Sequence, residues 1–346
     1  MSIFADWHHD VIRVKVTSTD DSKFSAKIYS QNWRNVSRPI VRGEIQPIGA
    51  CLGEFGVPAN ITRQQDTTVQ TQAPELMWYR RNPERTIVQA TMEQQLLPQS
   101  ALYNQQTGKQ LDILANNTFG VLVQAAGASR FSKLDNIGNA LHTVSPESSL
   151  ELQISANVEQ TTSVAVWQDH LRAKAAAAAK VSFNDALTAH AAHWAAIWAR
   201  SWMDTGAQPG SEAYNQSLGI ALGRYVNLCQ GRGKTPTHFT GGIFFDAHIS
   251  GYDYDYRSWG AAYWWQNTRF AYDAMIADGD FDHLSPMMDM YVNQLSVSQA
   301  LVKQYYHHEG AKFYETTLPW GATVPAPSQI NVNRQKFESQ SDWNSH

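Results

Sequence analysis

The chain has few cysteines and no long apolar run, and both scarcities exclude classes of protein. Of its 346 residues only Cys51 and Cys229 are cysteines. Two distant thiols cannot make a tetrahedral zinc site, which needs clustered ligands, so they form either one disulfide or two separate buried thiols. No stretch reaches the roughly 18–20 apolar residues of a membrane-spanning helix. We therefore expect no metal, no other cofactor and no membrane partner.

Charge is also scarce. Charged residues make up 17% of the chain and the formal net charge is −4, so the basic surface that nucleic-acid phosphates require is missing. Residues 1–6 lack the basic and apolar regions of a signal peptide. Sequons of the Asn-x-Ser/Thr type occur at Asn35, Asn60, Asn116 and Asn215 and favour a secreted or periplasmic parent protein.

The first 160 residues are rich in strand-forming patterns. Residues 11–17, 24–29 and 150–155 alternate between apolar and polar side chains. Alternation with a period of two places one face of a strand on a core and the other toward water. Several such strands separated by polar loops predict an antiparallel β-sandwich over residues 1–160.

The pattern changes to a helical one over residues 161–205. Residues 171–180 are almost entirely alanine and lysine, which form helices readily, and Ser182 is placed to cap a following helix. Trp194, Ile197 and Trp198 recur with His190 and His193 at helical spacing, so these side chains share one face. We interpret this region as a helical linker whose tryptophans pack on a neighbouring element.

Three longer helices are predicted beyond the linker, over residues 211–230, 258–277 and 283–306. Apolar side chains fall on one side of the first, and Gly279 follows the second as a stop signal. Helices of about this length separated by elaborated loops indicate helical hairpins. No short internal repeat is visible.

The connection between the first two of these helices is crowded with aromatic, acidic and amide side chains. Sugars present flat C–H faces that stack on aromatic rings and hydroxyl rims that need donors and acceptors. Two other roles stay open: packing for residues 263–265, and helix capping or pairing with Arg257 for the aspartates. The candidate substrate-binding residues here are Asp253, Asp255, Arg257, Trp259, Trp264, Gln266, Asn267 and Arg269.

A second candidate cluster follows the third helix and contains His307, His308, Glu309, Glu315 and Trp320. Adjacent histidines beside a glutamate suggest a metal, but neighbouring residues do not face one another on a helix and the His-Glu-x-x-His spacing is missing. We therefore predict that these residues bind sugar hydroxyls rather than a metal.

The order of these segments resembles a known superfamily. A β-sandwich, a tryptophan-bearing helical linker and hairpins that begin with Pro236-Thr237-His238-Phe239-Thr240-Gly241-Gly242-Ile243-Phe244 are similar to the six-hairpin (α/α)6 glycosidases, and to glycoside hydrolase family 95 with its relatives. The resemblance covers residues 180–346. Where that family has an Asn-x-Asn pair before an Asn-Tyr-Trp-Pro segment, this chain has Arg257-Ser258-Trp259 before Tyr263-Trp264-Trp265. Residues 307–309 are similar to the family's loop after the third helix.

The resemblance implies an α+β multidomain fold with a sandwich over residues 1–160, a helical linker over 161–205 and the first half of an (α/α)6 toroid over 206–346. A closed toroid has twelve helices and three are predicted here, so we expect a fragment. The implied activity is inverting, fucosidase-like hydrolysis of an oligo- or polysaccharide, with two carboxyl groups about 6.5–9.5 Å apart. No residue is assigned as catalytic acid or base; Asp255, Glu309 and Glu315 are expected to bind sugar or to orient that pair.

Three alternatives share this layout. A sugar phosphorylase needs a phosphate pocket, for which Arg232 and Lys234 are the obvious donors. A polysaccharide lyase needs a tyrosine or histidine base and a uronic substrate. A non-catalytic carbohydrate-binding fragment needs neither.

Overall fold

A computed structural model describes residues 1–20, 22–39, 62–71, 73–133, 140–238 and 262–322. The described chain divides into two compact units. The first, the sheet unit, is formed by residues 1–38, 63–84 and 114–198; the second, the helical unit, contains residues 85–113, 199–238 and 262–322. Asp253, Asp255, Arg257 and Trp259 lie outside the described residues.

The strands are mostly short and belong largely to the sheet unit. They are β1 (Ser2–Ala5), β2 (Val11–Thr17), β3 (Lys27–Tyr29), β4 (Arg38–Pro39), β5 (Thr62–Arg63), β6 (Thr67–Val69), β7 (Leu76–Arg81), β8 (Tyr103–Asn104), β9 (Lys109–Gln110), β10 (Asn117–Ala125), β11 (Phe131–Lys133), β12 (Ala140–Thr143), β13 (Ser149–Gln160), β14 (Tyr263–Trp264) and β15 (Thr316–Thr317).

The helices are concentrated in the second half of the chain. They are α1 (Ile87–Gln94), α2 (Val164–Ala179), α3 (Phe183–Trp198), α4 (Glu212–Gln230), α5 (Trp265–Ala277), α6 (Ser285–Asn293) and α7 (Leu295–Tyr306), with 3-10 turns at Gln99–Leu102 and Phe281–His283. None of the helices in the described part is both long and apolar enough to cross a bilayer.

Two antiparallel sheets form the sheet unit. The larger has the order β1-β2-β13-β10-β7-β6 and the smaller has the order β11-β12-β3. Val14, Val123 and Leu152 of the larger sheet share one buried cluster with Phe131 and Leu141 of the smaller. Antiparallel sheets that share a buried cluster are consistent with the predicted β-sandwich, and the predicted strands at residues 11–17 and 150–155 are present. Of residues 24–29, only 27–29 are a strand, and Phe24 makes an isolated bridge to Glu147.

Helix α2 covers the other face of the larger sheet. Met77 and Leu122 pack there against Trp167 and Leu171. Strand β10 is thus buried on both faces, which explains why the adjacent residues Leu122 and Val123 are both apolar and both buried. A strand covered on both sides needs apolar side chains at successive positions rather than in alternation.

Gly120 is the residue that lets Trp167 lie close to β10. A Cβ atom added to Gly120 would collide with the carbonyl oxygen of Trp78 and would lie 2.9 Å from Cη2 of Trp167. Trp167 is fully buried. The close approach of both β7 and α2 therefore requires a residue without a side chain at this position.

Helices α2 and α3 occupy the range for which the sequence predicts a helical linker, and both belong to the sheet unit. Two helices occur as the sequence indicates, and Ser182 accepts a hydrogen bond from the backbone N–H of Asp185 at 3.2 Å. The ring of His193 stacks on Trp7 with a centroid distance of 3.8 Å, and Trp194 meets Trp7 edge-on at 5.6 Å. The aromatic face of α3 therefore packs on the N-terminal strand region, and the helix ends at residue 198 rather than near 204.

In the helical unit, α4 begins after its cap Ser211 and matches the predicted helix. Its predicted apolar side is less buried than expected, because Leu218 and Leu222 are exposed and Arg224 and Leu228 are the buried residues. The predicted helix over 258–277 begins at Trp265 instead, and the one over 283–306 is divided at Gln294 into α6 and α7. Cys229 carries a free thiol; Cys51 lies outside the described residues.

Residues 85–113 fall within the range that the sequence assigns to the sandwich, and their contacts are with the helical unit. Thr86 and Gln89 form a capping box at the start of α1. The indole N–H of Trp320 donates to the Thr91 hydroxyl at 2.9 Å, and the Tyr305 hydroxyl donates to the carbonyl of Gln95 at 2.8 Å. These buried hydrogen bonds fasten α1 to α7 and the segment after it.

Replacing Gly120 by alanine should lower the free energy of unfolding by about 1–3 kcal/mol, because the added methyl group would meet the backbone of β7 at Trp78 and Tyr79 as well as the ring of Trp167. Urea denaturation followed by circular dichroism measures the effect. Gly219→Ala is the control, since nothing lies within 4 Å of a Cβ at that helical position and alanine there should stabilise by about 1 kcal/mol. Equal effects of the two substitutions would contradict this account of Gly120.

Candidate functional site

The start of α5 is held by a segment that follows α7. Strands β14 and β15 pair antiparallel, with Trp264 opposite Thr316. Trp264 is the N-cap residue of α5 and its side chain makes no capping hydrogen bond. Glu315 supplies the acceptors instead: its carbonyl oxygen accepts from the N–H of Trp265 at 2.8 Å, and its carboxyl Oε1 accepts from the N–H of Gln266 at 2.6 Å.

This capping follows from the structure of a helix terminus. The first N–H groups of a helix have no partner within the helix, and a carboxylate is favourable beside the positive end of its dipole. Because one residue satisfies two of these donors, Glu315 is fixed in position against the first turn of α5.

Three aromatic rings surround the capped turn. Trp265 meets Tyr291 of α6 edge-on at a centroid distance of 5.6 Å, and Tyr291 meets Phe313 at 5.8 Å. The rings of Trp265 and Phe313 are 40% and 42% exposed, whereas the Tyr291 hydroxyl is buried and has no hydrogen-bond partner within the described ranges. We call Trp265, Tyr291, Phe313 and Glu315 the Tyr291 cluster.

Burial changes the acid–base properties of the cluster. Loss of solvent raises the pKa of the Glu315 carboxyl above its usual value, opposed by the N–H of Gln266 and the nearby charge of Arg269. Burial, and then the charge of Glu315, raise the pKa of Tyr291 to about 12. At neutral pH the tyrosine is therefore a hydrogen-bond donor, beside a carboxyl group that is poorly solvated when charged.

A groove between α4 and α5 lies one turn further along the latter helix. Its volume is about 520 Å³. Amide side chains of Asn227, Gln230 and Asn267 line it together with Val226 and Phe270. Amides supply both donors and acceptors, and Phe270 supplies an exposed ring.

The two ends of the segment 239–261 meet beside this groove. His238 lines the groove, and its ring lies 5.4 Å from the ring of Tyr263. The Tyr263 hydroxyl donates to the carbonyl of Pro236 at 3.0 Å. Residues 236–238 and residue 263, which flank the segment 239–261, are therefore in contact within the helical unit.

The structure brings five of the predicted site residues to the start of α5: Trp264, Gln266, Asn267, Arg269 and Glu315. The side chains of Gln266, Asn267 and Arg269 are exposed there, and Trp264 is half-buried.

His307, His308 and Glu309 lie elsewhere, at the exposed end of α7. His307 ends the helix with φ +60°, and Glu309 pairs with Lys303 at 2.6 Å. No hydrogen bond, ion pair or ring contact of the described residues joins this group to the Tyr291 cluster. Nor does any group of three His, Cys, Asp or Glu side chains in the described part have the arrangement of a metal site.

Trp320 is a packing residue in this structure, only 2% exposed. Conversely, sequence reasoning did not single out Tyr291, Phe313, Asn227 or Gln230. Tyr291 and Phe313 are separated by a whole helix, so no local pattern links them. The sequence signal that could have pointed to Phe313 is its position two residues before the candidate Glu315.

Comparison with known proteins gives a family. Residues 1–203 match the family model described as a domain of unknown function, DUF5703, in its N-terminal form. The match spans more than half of the chain, so the chain belongs to this family. No curated protein matches it.

Among solved structures, one that is similar is described as "Putative kojibiose phosphorylase from human microbiome". It is 14% identical with a TM-score of 0.45, and the alignment covers 94% of this chain and 37% of that one. The chain therefore spans well under half the length of that protein.

The Glu315→Gln variant should alter the pH dependence of stability. A carboxyl whose pKa is raised in the folded state binds its proton more tightly there. Its contribution to stability is therefore greatest below the ordinary value of 4.5 and falls as pH rises through the raised value. Subtracting the variant's unfolding free energy from that of the wild type, by urea denaturation from pH 3.5 to 7.5, should give a difference that decreases with pH.

Glu309→Gln is the control, because its exposed carboxylate has its pKa lowered by the hydrogen bond from Lys303. The corresponding difference for this variant should change in the opposite sense and only slightly. A Glu315 difference that increases with pH would show that capping, not burial, dominates the titration of that carboxyl.

Proposed function

We propose that this DUF5703-family chain is part of a carbohydrate-processing enzyme that cleaves glycosidic bonds, and that the Tyr291 cluster binds the sugar. The observation that carries the proposal is the combination at the start of α5. Two half-exposed aromatic rings stand beside a carboxyl group with a raised pKa and a buried phenol that has a proton to donate.

Each part of the cluster suits one part of a saccharide. The C–H face of a pyranose ring is apolar enough to stack on Trp265 or Phe313. A sugar hydroxyl both donates and accepts, so it satisfies the Glu315 carboxylate and accepts from Tyr291 with the same group. Covering the rings removes water from the carboxylate, and a bound hydroxyl restores the hydrogen bonding that burial denies it.

The groove between α4 and α5 extends this argument. Asn267 lies on the same helix as Trp265, and the amides of Asn227 and Gln230 supply further partners for hydroxyl groups. The proposal also assigns substrate binding to Asp253, Asp255, Arg257 and Trp259, which lie outside the described residues.

The proposed reaction is inverting hydrolysis. One carboxylic acid protonates the leaving oxygen, and a carboxylate about 6.5–9.5 Å away activates water on the opposite face of the sugar. Glu315 is committed to capping α5, so we assign it to binding a hydroxyl and not to either catalytic role. The proposed organisation keeps a sandwich over 1–160, a linker over 161–205 and part of an (α/α)6 toroid over 206–346.

Trp265→Ala and Phe313→Ala should each weaken saccharide binding about tenfold, since loss of one stacking ring removes about 0.5–1.5 kcal/mol beyond the buried area. Isothermal titration calorimetry with 2′-fucosyllactose, cellobiose and maltose measures this. Phe281→Ala is the matched control, because its ring is 61% exposed and lies outside the cluster. Affinity that falls equally in all three variants, or in none, would refute the assignment of the cluster.

Turnover of the same saccharides tests the reaction class. Release of reducing sugar without added phosphate supports hydrolysis. Turnover that requires inorganic phosphate would replace hydrolysis by phosphorolysis, and an unsaturated, ultraviolet-absorbing product would indicate a lyase. Binding without any turnover would reduce the chain's role to recognition.

A further inference from the structure

The sheet unit contains a cleft that the proposed function does not use. It lies between β2, β13, the turn after β10 and the connection from α2 to α3, with a volume of about 410 Å³. Small-molecule sites typically occupy about 300–1,000 Å³. The cleft is therefore large enough for a ligand of one or two sugar rings.

Arg13 contributes a rigid part of the lining. Its Nε donates to the Asp6 carboxylate at 2.8 Å, and its two terminal nitrogens donate to the carbonyls of Ala178 and Val181 at 3.0 and 3.1 Å. The guanidinium thereby satisfies the carbonyls at the C-terminal end of α2. Because three partners fix it, this part of the cleft is preorganised.

A cation and a carboxylate stand together at the cleft. Lys15 Nζ lies 2.7 Å from Glu151 Oε1, and both side chains are partly exposed. Gly127 makes room for the carboxylate: it has φ +57°, and a Cβ there would lie 2.9 Å from Glu151 Oε2. Lys15 also lies over the ring of Phe183, 5.5 Å from its centroid. The result is a donor, an acceptor and an apolar surface side by side.

Gln153 adds a buried acceptor to the same lining. Gln153 is only 2% exposed. Its Nε2 donates to Ser155 Oγ at 2.8 Å and to the Ala175 carbonyl at 2.9 Å. A carbonyl only accepts, so the nitrogen must face Ala175 and the remaining atom is the oxygen. That Oε1 has no hydrogen-bond partner in the described part of the chain. A buried acceptor in this state has an unmet hydrogen bond, which a donor group that reaches it from the cleft would satisfy.

We propose that this cleft is a second saccharide-binding site, in the part of the chain that defines the family. A neutral ligand rich in hydroxyl groups fits the lining, because each hydroxyl pairs with the Lys15 donor, the Glu151 acceptor or the Gln153 acceptor. A cation fits poorly, because Lys180 lines the cleft as well, beside Lys15 paired with Glu151 and Arg13 paired with Asp6. A wholly apolar ligand would leave all three polar groups unsatisfied.

The proposal does not depend on the Tyr291 cluster, and its test keeps the two sites apart. The full chain carrying Trp265→Ala and Phe313→Ala serves as the background, so that binding at the cluster is already weakened. Maltose and cellobiose are titrated into this background by calorimetry. One of them should bind with a stoichiometry of one.

Asn184→Trp on this background should weaken that binding at least tenfold. Asn184 is exposed, lines the cleft and lies in the first turn of α3, so a large ring there obstructs the cleft without removing a buried partner. Thr188→Trp is the matched control, one helical turn further on and outside the lining; it should leave the affinity unchanged. Lys15→Met should weaken binding as well.

Absence of saturable binding by either disaccharide in the background protein would overturn the proposal. So would an affinity that Asn184→Trp leaves unchanged, or one that Thr188→Trp lowers equally. If Trp265→Ala and Phe313→Ala left saccharide binding at the Tyr291 cluster unchanged while the cleft still bound a disaccharide, the proposed role of the cluster would be refuted and the cleft proposal would be supported.

Discussion

The first turn of α5 needs hydrogen-bond acceptors that its own N-cap residue does not provide. Glu315 supplies two of them, one from its main chain and one from its side chain. Because α5 is capped from a distant segment, Phe313 and Trp265 both contact Tyr291, and the carboxyl group becomes partly buried. The capping requirement thus produces the aromatic surroundings and the raised pKa together.

In the sheet unit, too, single residues meet more than one structural requirement. Arg13 neutralises Asp6 and at the same time satisfies the carbonyls at the end of α2, while Gly120 admits Trp167 to the face of the larger sheet. These contacts fix α2 on the sheet, and the position of its C-terminal end then shapes the cleft near Gln153. In both units a group that satisfies the backbone also creates the surroundings of a candidate site.

Local sequence patterns predicted the helices and strands well where interactions between residues close in sequence determine the structure. Alternation located β2 and β13, Ser182 marked the start of α3, and the predicted helix over residues 211–230 matches α4. The errors occurred where contacts with distant residues decide the structure. Helix α5 begins only where β14 ends. Helix α4 buries Arg224 against Asp280 at 2.8 Å and leaves Leu218 and Leu222 exposed. Residues brought together across α6 and α7 have no common sequence signature, so the contacts around Glu315 were not predictable from local patterns.

The central claim is that a sugar ring lies on the exposed rings of the Tyr291 cluster with a hydroxyl group on the Glu315 carboxyl. A crystal structure of the chain soaked with 2′-fucosyllactose tests it most directly. The account predicts a pyranose stacked on Trp265 or Phe313 with one hydroxyl oxygen about 2.5–3.0 Å from a carboxyl oxygen of Glu315. A saccharide found only elsewhere on the helical unit, with the cluster bare, would contradict it.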